Sequence, residues 1–160
     1  MIKQRLFTVL LAALTAMLSL TAAAQLADKK TLTLEAAKKI AAAAEAEAQK
    51  NKWNVVIVIV DDGGHPIYLQ RMDTTQTGSV EVAIRKAQTA TSFKRPTKVF
   101  EDAIAGGRNA LIALGALPLE GGVPITVAGQ VVGAIGVSGV TSQQDGQIAK
   151  AGADSAADLK

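Results

Sequence analysis

His65 is the sole histidine of this 160-residue chain, and cysteine is absent. Thiolate chemistry, disulfides and multi-histidine metal cages are therefore excluded within one chain. His65 follows Asp61-Asp62-Gly63-Gly64 and precedes Pro66, so it lies on a turn. There it can serve as an axial ligand to a haem iron or as an acid–base group, or it can be a solvated turn residue. Asp61 and Asp62 can hold a cation, although aspartates also stabilise tight turns through their own backbone. Glu81, Arg85 and Lys86 fall on one helix. Glu81 and Arg85 are four apart, which makes either a solvated ion pair or a charged rim beside a ligand pocket. Lys94, Arg95 and Lys98 flank Pro96. They can recognise a carboxylate ligand or complement the dipole at a helix C-terminus. In Glu120-Gly121-Gly122-Val123-Pro124, two glycines free the backbone for unusual φ and for close contact. That segment reads as an ordinary turn, as a pocket wall against a flat ligand, or as a tight subunit contact.

Several chemistries have no residues to carry them. Ser138 sits in Gly-Val-Ser-Gly, which is not the Gly-x-Ser-x-Gly elbow. No Gly-Lys-Ser/Thr loop occurs, and the glycines of 133–139 lie within a strand pattern rather than at a β-to-α phosphate turn. Aromatic residues make up 3% of the chain, too few for a base-stacking platform.

The elements that must position these residues are legible from period and punctuation. Thr33 caps a predicted helix over 34–50, with Leu34, Ala37, Ile40, Ala41, Ala44 and Ala48 on one stripe. Residues 54–60 are Val/Ile-rich and read as a buried strand; the Asp-Asp-Gly-Gly turn then leads into 66–72, giving a hairpin. Ser79 is placed as the cap of a helix over 80–93, with Val80, Ala83, Ile84, Ala87, Ala90 and Thr91 inward. A shorter helix over 97–105 stops at Gly106-Gly107, and 109–114 is a further helical turn. Strands over 123–127 and 130–137 form a second hairpin around Ala128-Gly129, and Gly133 and Gly136 mark tight packing. Thr141 with Gln144 is a capping box that starts a last helix, to about 158. Two hairpins without a long crossover imply one antiparallel sheet covered by helices, an α+β layered domain. Thirty residues are alanine, so helices can approach their partners closely.

Lys3 and Arg5 precede the uncharged run 6–20, and Ala22-Ala23-Ala24 follows. This is the layout of a secretory signal peptide, and the run falls short of the roughly 20 residues a membrane span needs. The alternative is an uncleaved anchor. We expect residues 1–24 to be the signal, 25–32 a tether and 33–160 the domain, placed in the periplasm or outside the cell with no membrane span after cleavage. From Gln25 the chain has 15 basic and 14 acidic residues, so nothing electrostatic favours nucleic acid.

Taken together and in order, several segments resemble the GlcG/HbpS family of haem-binding proteins, also called the haem-degrading domain family. They are Val58-Ile59-Val60-Asp61-Asp62-Gly63-Gly64-His65, Arg71-Met72-Asp73, Lys86-Ala87-Gln88-Thr89-Ala90, Arg95-Pro96-Thr97, Gly121-Gly122-Val123-Pro124-Ile125 and 132–139. The resemblance spans about residues 32–159. It implies a profilin-like α-β-α sandwich around about five antiparallel strands. It also implies assembly from dimers up to octamers, and binding of haem or a related tetrapyrrole. Iron ion and corrinoid are the alternative cofactors. The resemblance fixes no universal axial residue; His65 is the chemical candidate for the metal ligand, Met72, Tyr68, Glu81 or a bound water can serve instead, and Glu81 beside a partner's carboxylate can hold iron through oxygen. Arg85, Lys86, Lys94 and Arg95 would meet the propionates. Phe93, Val123, Ile125 and the Gly121-Gly122 loop would meet the porphyrin face. Some family members are reported to degrade haem. Such breakdown needs iron reduction and oxygen activation, and no redox-partner site is legible, so the reading favours a haem carrier or sequestering protein over an enzyme. An enzyme or sensor for an organic acid or corrinoid in the same groove, and a structural assembly module, are the alternatives.

Overall fold

The computed structural model describes Ala27 and residues 29–159. The expected signal, residues 1–24, and residues 25, 26 and 28 of the expected tether lie outside the described residues. Leu32, the last tether residue, is buried in the domain core.

Helix α1 spans Leu34–Lys50, and the Thr33 hydroxyl accepts from the Ala36 amide at 3.1 Å. Ala37, Ile40, Ala41, Ala44 and Ala48 are its buried stripe. Leu34, expected on that stripe, is half exposed because it lies one step round the first turn. Strand β1 is Val56–Asp61 and β2 is Pro66–Arg71. Helix α2 is Ser79–Phe93, α3 is Lys98–Ala105, and a 3-10 helix covers Asn109–Leu114. Strands β3, Gly122–Val127, and β4, Gln130–Ser138, precede α4, Ser142–Asp154, and a 3-10 turn over Ser155–Asp158. The Thr141–Gln144 capping box is formed as expected. The α2 cap differs from expectation. Gly78 holds that position without a side-chain bond, because Ser79 is buried with its hydroxyl 3.3 Å from that of Ser138.

The sheet is antiparallel in the order β2-β1-β4-β3. It has four strands among the described residues, one fewer than expected. β1 is a central strand, and all of Val56 to Val60 is buried. An unbroken Val/Ile run is what a strand covered on both faces requires, whereas a half-solvated strand alternates. One face carries Ile57, Ile59, Ile125, Ile135 and Val137 against α1 and α4. The other carries Val56, Val58, Val60 and Ala134 against Ala83, Ala87 and Ala90 of α2.

α2 sits unusually low on this second face, and two glycines allow it. Gly122 and Gly136 are direct cross-strand partners. A Cβ on Gly136 would lie 2.1 Å from the Ala83 carbonyl oxygen, and one on Gly122 would lie 2.3 Å from that of Lys86. The helix backbone therefore rests on bare strand backbone. No helix among the described residues is long and apolar enough to cross a membrane.

Candidate ligand-binding site

Because α2 buries its alanine face, its opposite stripe of Glu81, Arg85, Gln88 and Ser92 is exposed. A cleft of about 300 Å³ opens beside this stripe. Arg85, Gln88, Thr89, Ser92 and Phe93 line one side, and Leu114, Gly115 and Ala116 line the other. Thr89 fixes the far wall, since its Oγ1 accepts from the Leu117 amide at 2.9 Å. Gln88 Nε2 donates to the Gly64 carbonyl at 3.2 Å, which ties the β1–β2 turn to α2. His65 is the next residue and is exposed at that rim.

The chain leaving α2 is cationic. α2 ends on Lys94, a left-handed residue at φ 51° whose amide caps the Ala90 and Thr91 carbonyls. Glycine usually occupies this position. Arg95 follows, its Nε donating to the Phe93 carbonyl at 3.1 Å and its guanidinium 6.0 Å from the Phe100 ring centroid. Phe93 packs edge-on to Phe100 at 5.1 Å. Among the described residues Arg85, Lys94 and Arg95 make no ion pair. Their charges are thus open to a carboxylate. The exposed side chains of Ile112 and Leu114 add apolar surface on the facing segment. Of the residues expected at the site, the cleft itself takes Arg85 and Phe93; Lys94 and Arg95 follow at the C-terminal end of α2, and His65 adjoins Gly64, which packs on Gln88 and Thr91.

Other expected contributors are elsewhere. Lys86 is one residue from Arg85 but points inward, its side chain 2% exposed. Its Nζ donates to Asp145 Oδ2 at 2.7 Å and to the Val137 carbonyl at 3.0 Å. It cannot meet a propionate, because a step of one residue turns the side chain about 100° around the helix. Gly121 (φ +126°) makes room for this pair: a Cβ there would lie 2.8 Å from Lys86 Nζ and 2.9 Å from Asp145 Cβ. Gly121 and Gly122 are both buried, packed within the chain rather than walling a pocket. Val123 and Ile125 pack into the α1/α4 core, since strand alternation puts them on the face away from α2. They do not line the cleft.

Burial pushes the Asp145 carboxyl up, and Lys86 offsets part of that shift. Glu120 is likewise raised, chiefly by burial and further by Glu101 and Asp102, against Lys98 and Lys86. Its amide donates to Glu101 Oε2, tying the segment before β3 to α3. Thr97 Oγ1 accepts from the Gly122 amide at 2.9 Å in the same seam. Sequence reasoning missed Gln88, Thr89, Ser92 and the 114–116 wall. The stripe at Glu81, Arg85, Gln88 and Ser92 was legible as a helical period, but the wall that faces it was not.

Among the described residues, no three of His, Asp and Glu come together as a metal site. Glu81 is seven residues from Gln88, about two turns along α2, so it lies away from His65. An exposed imidazole, three unpaired cations and an apolar edge suit a flat apolar ligand bearing carboxylates. Among the described residues of one chain, no cluster of three such groups stands ready to hold iron through oxygen alone.

The family model for haem degrading protein HbpS-like matches residues 32–154. Protein GlcG of Escherichia coli K12 is 46% identical over 111 residues, covering 69% of this chain and 83% of that protein. Crystal structures give the same fold. Klebsiella pneumoniae ORFY superposes with a TM-score of 0.79 at 32% identity, over 88% of this chain and 100% of that one. A double mutant of Streptomyces reticuli HbpS gives 0.74 at 36%, over 84% and 92%. The PduOC:heme complex gives 0.72 at 27%, over 79% and 95%.

Proposed function

From the HbpS-like haem-degrading family, to which this chain belongs, we propose that it binds haem along the α2 cleft. The observation that carries this reading is the trio Arg85, Lys94 and Arg95, unpaired among the described residues, beside Phe93 and the exposed apolar edge of Ile112 and Leu114. Cations placed this way hold propionates, and apolar contact shields one porphyrin edge. His65, held at the rim through the Gln88 bond to Gly64, is the axial-ligand candidate. Bound haem supplies whatever redox chemistry follows. The protein's own groups orient it, neutralise its carboxylates and cover part of its face.

The role proposed is sequestration or transport of haem after export to the periplasm or the cell exterior, the exported form beginning at Gln25. Self-association is part of the proposal. Val99, Ile112, Leu114 and Leu119 are large apolar side chains left exposed around α3 and the 3-10 helix, and a second copy would cover them. A small organic acid in the same cleft is the second reading, favoured by its volume of about 300 Å³, the low end for ligand pockets.

Hemin titration of the purified protein tests the proposal. A Soret shift with saturation is expected, weakened in Arg85→Ala and Arg95→Ala and altered in band position in His65→Ala. Absence of any shift in the wild-type protein sinks the haem reading.

A further inference from the structure

The segment Arg71-Met72-Asp73-Thr74 takes no part in the α2 cleft. It closes β2 at the end away from His65, about 20 Å along the strand. There the last turns of α1, Asn54 and this segment enclose a separate polar cleft of about 440 Å³. Charges of both signs line it without cancelling. Among the described residues Arg71 and Asp73 have no ion-pair partner. Glu45, on the α1 side, accepts only a Gln49 amide proton at 2.9 Å among those residues.

The backbone beside these charges is strained. Thr74 is β-branched yet sits at φ 66°, in a turn closed by the Thr75 amide on the Met72 carbonyl at 3.2 Å. Glycine or asparagine ordinarily takes that third turn position. A β-branched residue there is a genuine outlier. Asn54 Nδ2 donates to Thr74 Oγ1 at 2.7 Å, so side chains of the cleft itself hold the strained residue. The next residue, Thr75, is 6% exposed, and its hydroxyl has no hydrogen-bond partner among the described residues. A strained residue held by the side chains around it is the kind that gathers at ligand clamps.

We propose that this cleft is a second ligand site, for a small zwitterion of the α-amino-acid class. The Arg71 guanidinium matches a carboxylate with two parallel N–H donors. Asp73 and Glu45 supply acceptors for an ammonium group. The Gln49, Gln70 and Asn54 amides complete a polar lining too short of apolar surface for a porphyrin. The site stands apart from the haem reading and survives its failure.

The test titrates the isotope-labelled full chain with L-serine, using ethanolamine and lactate as single-charge controls, and follows amide resonances. L-serine is expected to move the Asn54 and Asp73–Thr75 resonances, with each control binding at least about tenfold more weakly. Arg71→Met and Asp73→Asn each weaken L-serine by about tenfold or more, Arg71→Lys retains more than Arg71→Met, and hemin titrations of all three match wild type. The proposal is overturned if millimolar L-serine leaves those resonances unmoved. It is equally overturned if lactate alone binds as well, or if Arg71→Met, folded by its thermal transition, binds L-serine like wild type.

Discussion

Lys86 shows how much a single side chain can depend on a distant partner. It reaches from α2 past Gly121 to Asp145 in the first turn of α4, so one ion pair links the helix layers on both faces of the sheet. Removing one member leaves the other charged and buried. Lys86→Met is expected to lower unfolding free energy by about 3–5 kcal/mol, read from urea denaturation. Lys86→Met combined with Asp145→Leu should recover most of that loss, since an apolar pair of similar volume replaces a buried ion pair at little net penalty. Glu120 behaves differently. Its folded-state pKa is raised by burial, so above that pKa its charge opposes folding, and the penalty fades as pH falls through it. Glu120→Gln should therefore raise the melting temperature at neutral pH. It should also remove that group's share of the stability gained on mild acidification. An unchanged pH profile would contradict the assignment.

At the level of elements, the seating of α2 and its C-terminus govern the cleft. Gly136→Ala places a methyl group into the Ala83 carbonyl, which neither backbone can yield without moving the helix. Loss of the cooperative thermal transition, or a fall of several degrees, is the expected result. Lys94 tests a trade between stability and binding. Its left-handed conformation costs a non-glycine residue about 1 kcal/mol. Lys94→Gly should stabilise α2 by about that amount while weakening haem, a divergence that denaturation and hemin titration measure side by side. If stability and affinity both rise, Lys94 has no part in ligand binding.

For the whole molecule, a ligand that prefers the native state raises the melting temperature in proportion to the logarithm of its concentration. Hemin should do so for wild type, and much less for a chain carrying Arg85→Ala and Arg95→Ala together. Self-association over the exposed apolar residues of α3 and the 3-10 helix should weaken in Ile112→Glu, read as a drop in mass by light scattering.

Local signals determined the elements of this protein. Thr33 and the Thr141–Gln144 pair started α1 and α4 where the structure has them. The Asp-Asp-Gly-Gly and Ala-Gly turns placed both hairpins, and the unbroken Val/Ile run marked the central strand. These work within a few residues along the chain, where periodicity and backbone preference act. The tertiary structure alone decided what each face meets. Period groups Arg85 with Gln88 but does not say that residues 114–116 lie opposite. Alternation separates Val123 from Pro124 but leaves open which side α2 covers. Lys86 looks like any helical lysine until Asp145, 59 residues on, is folded against it. Contacts of that separation come from packing the layers together, and no stretch of neighbouring residues encodes them.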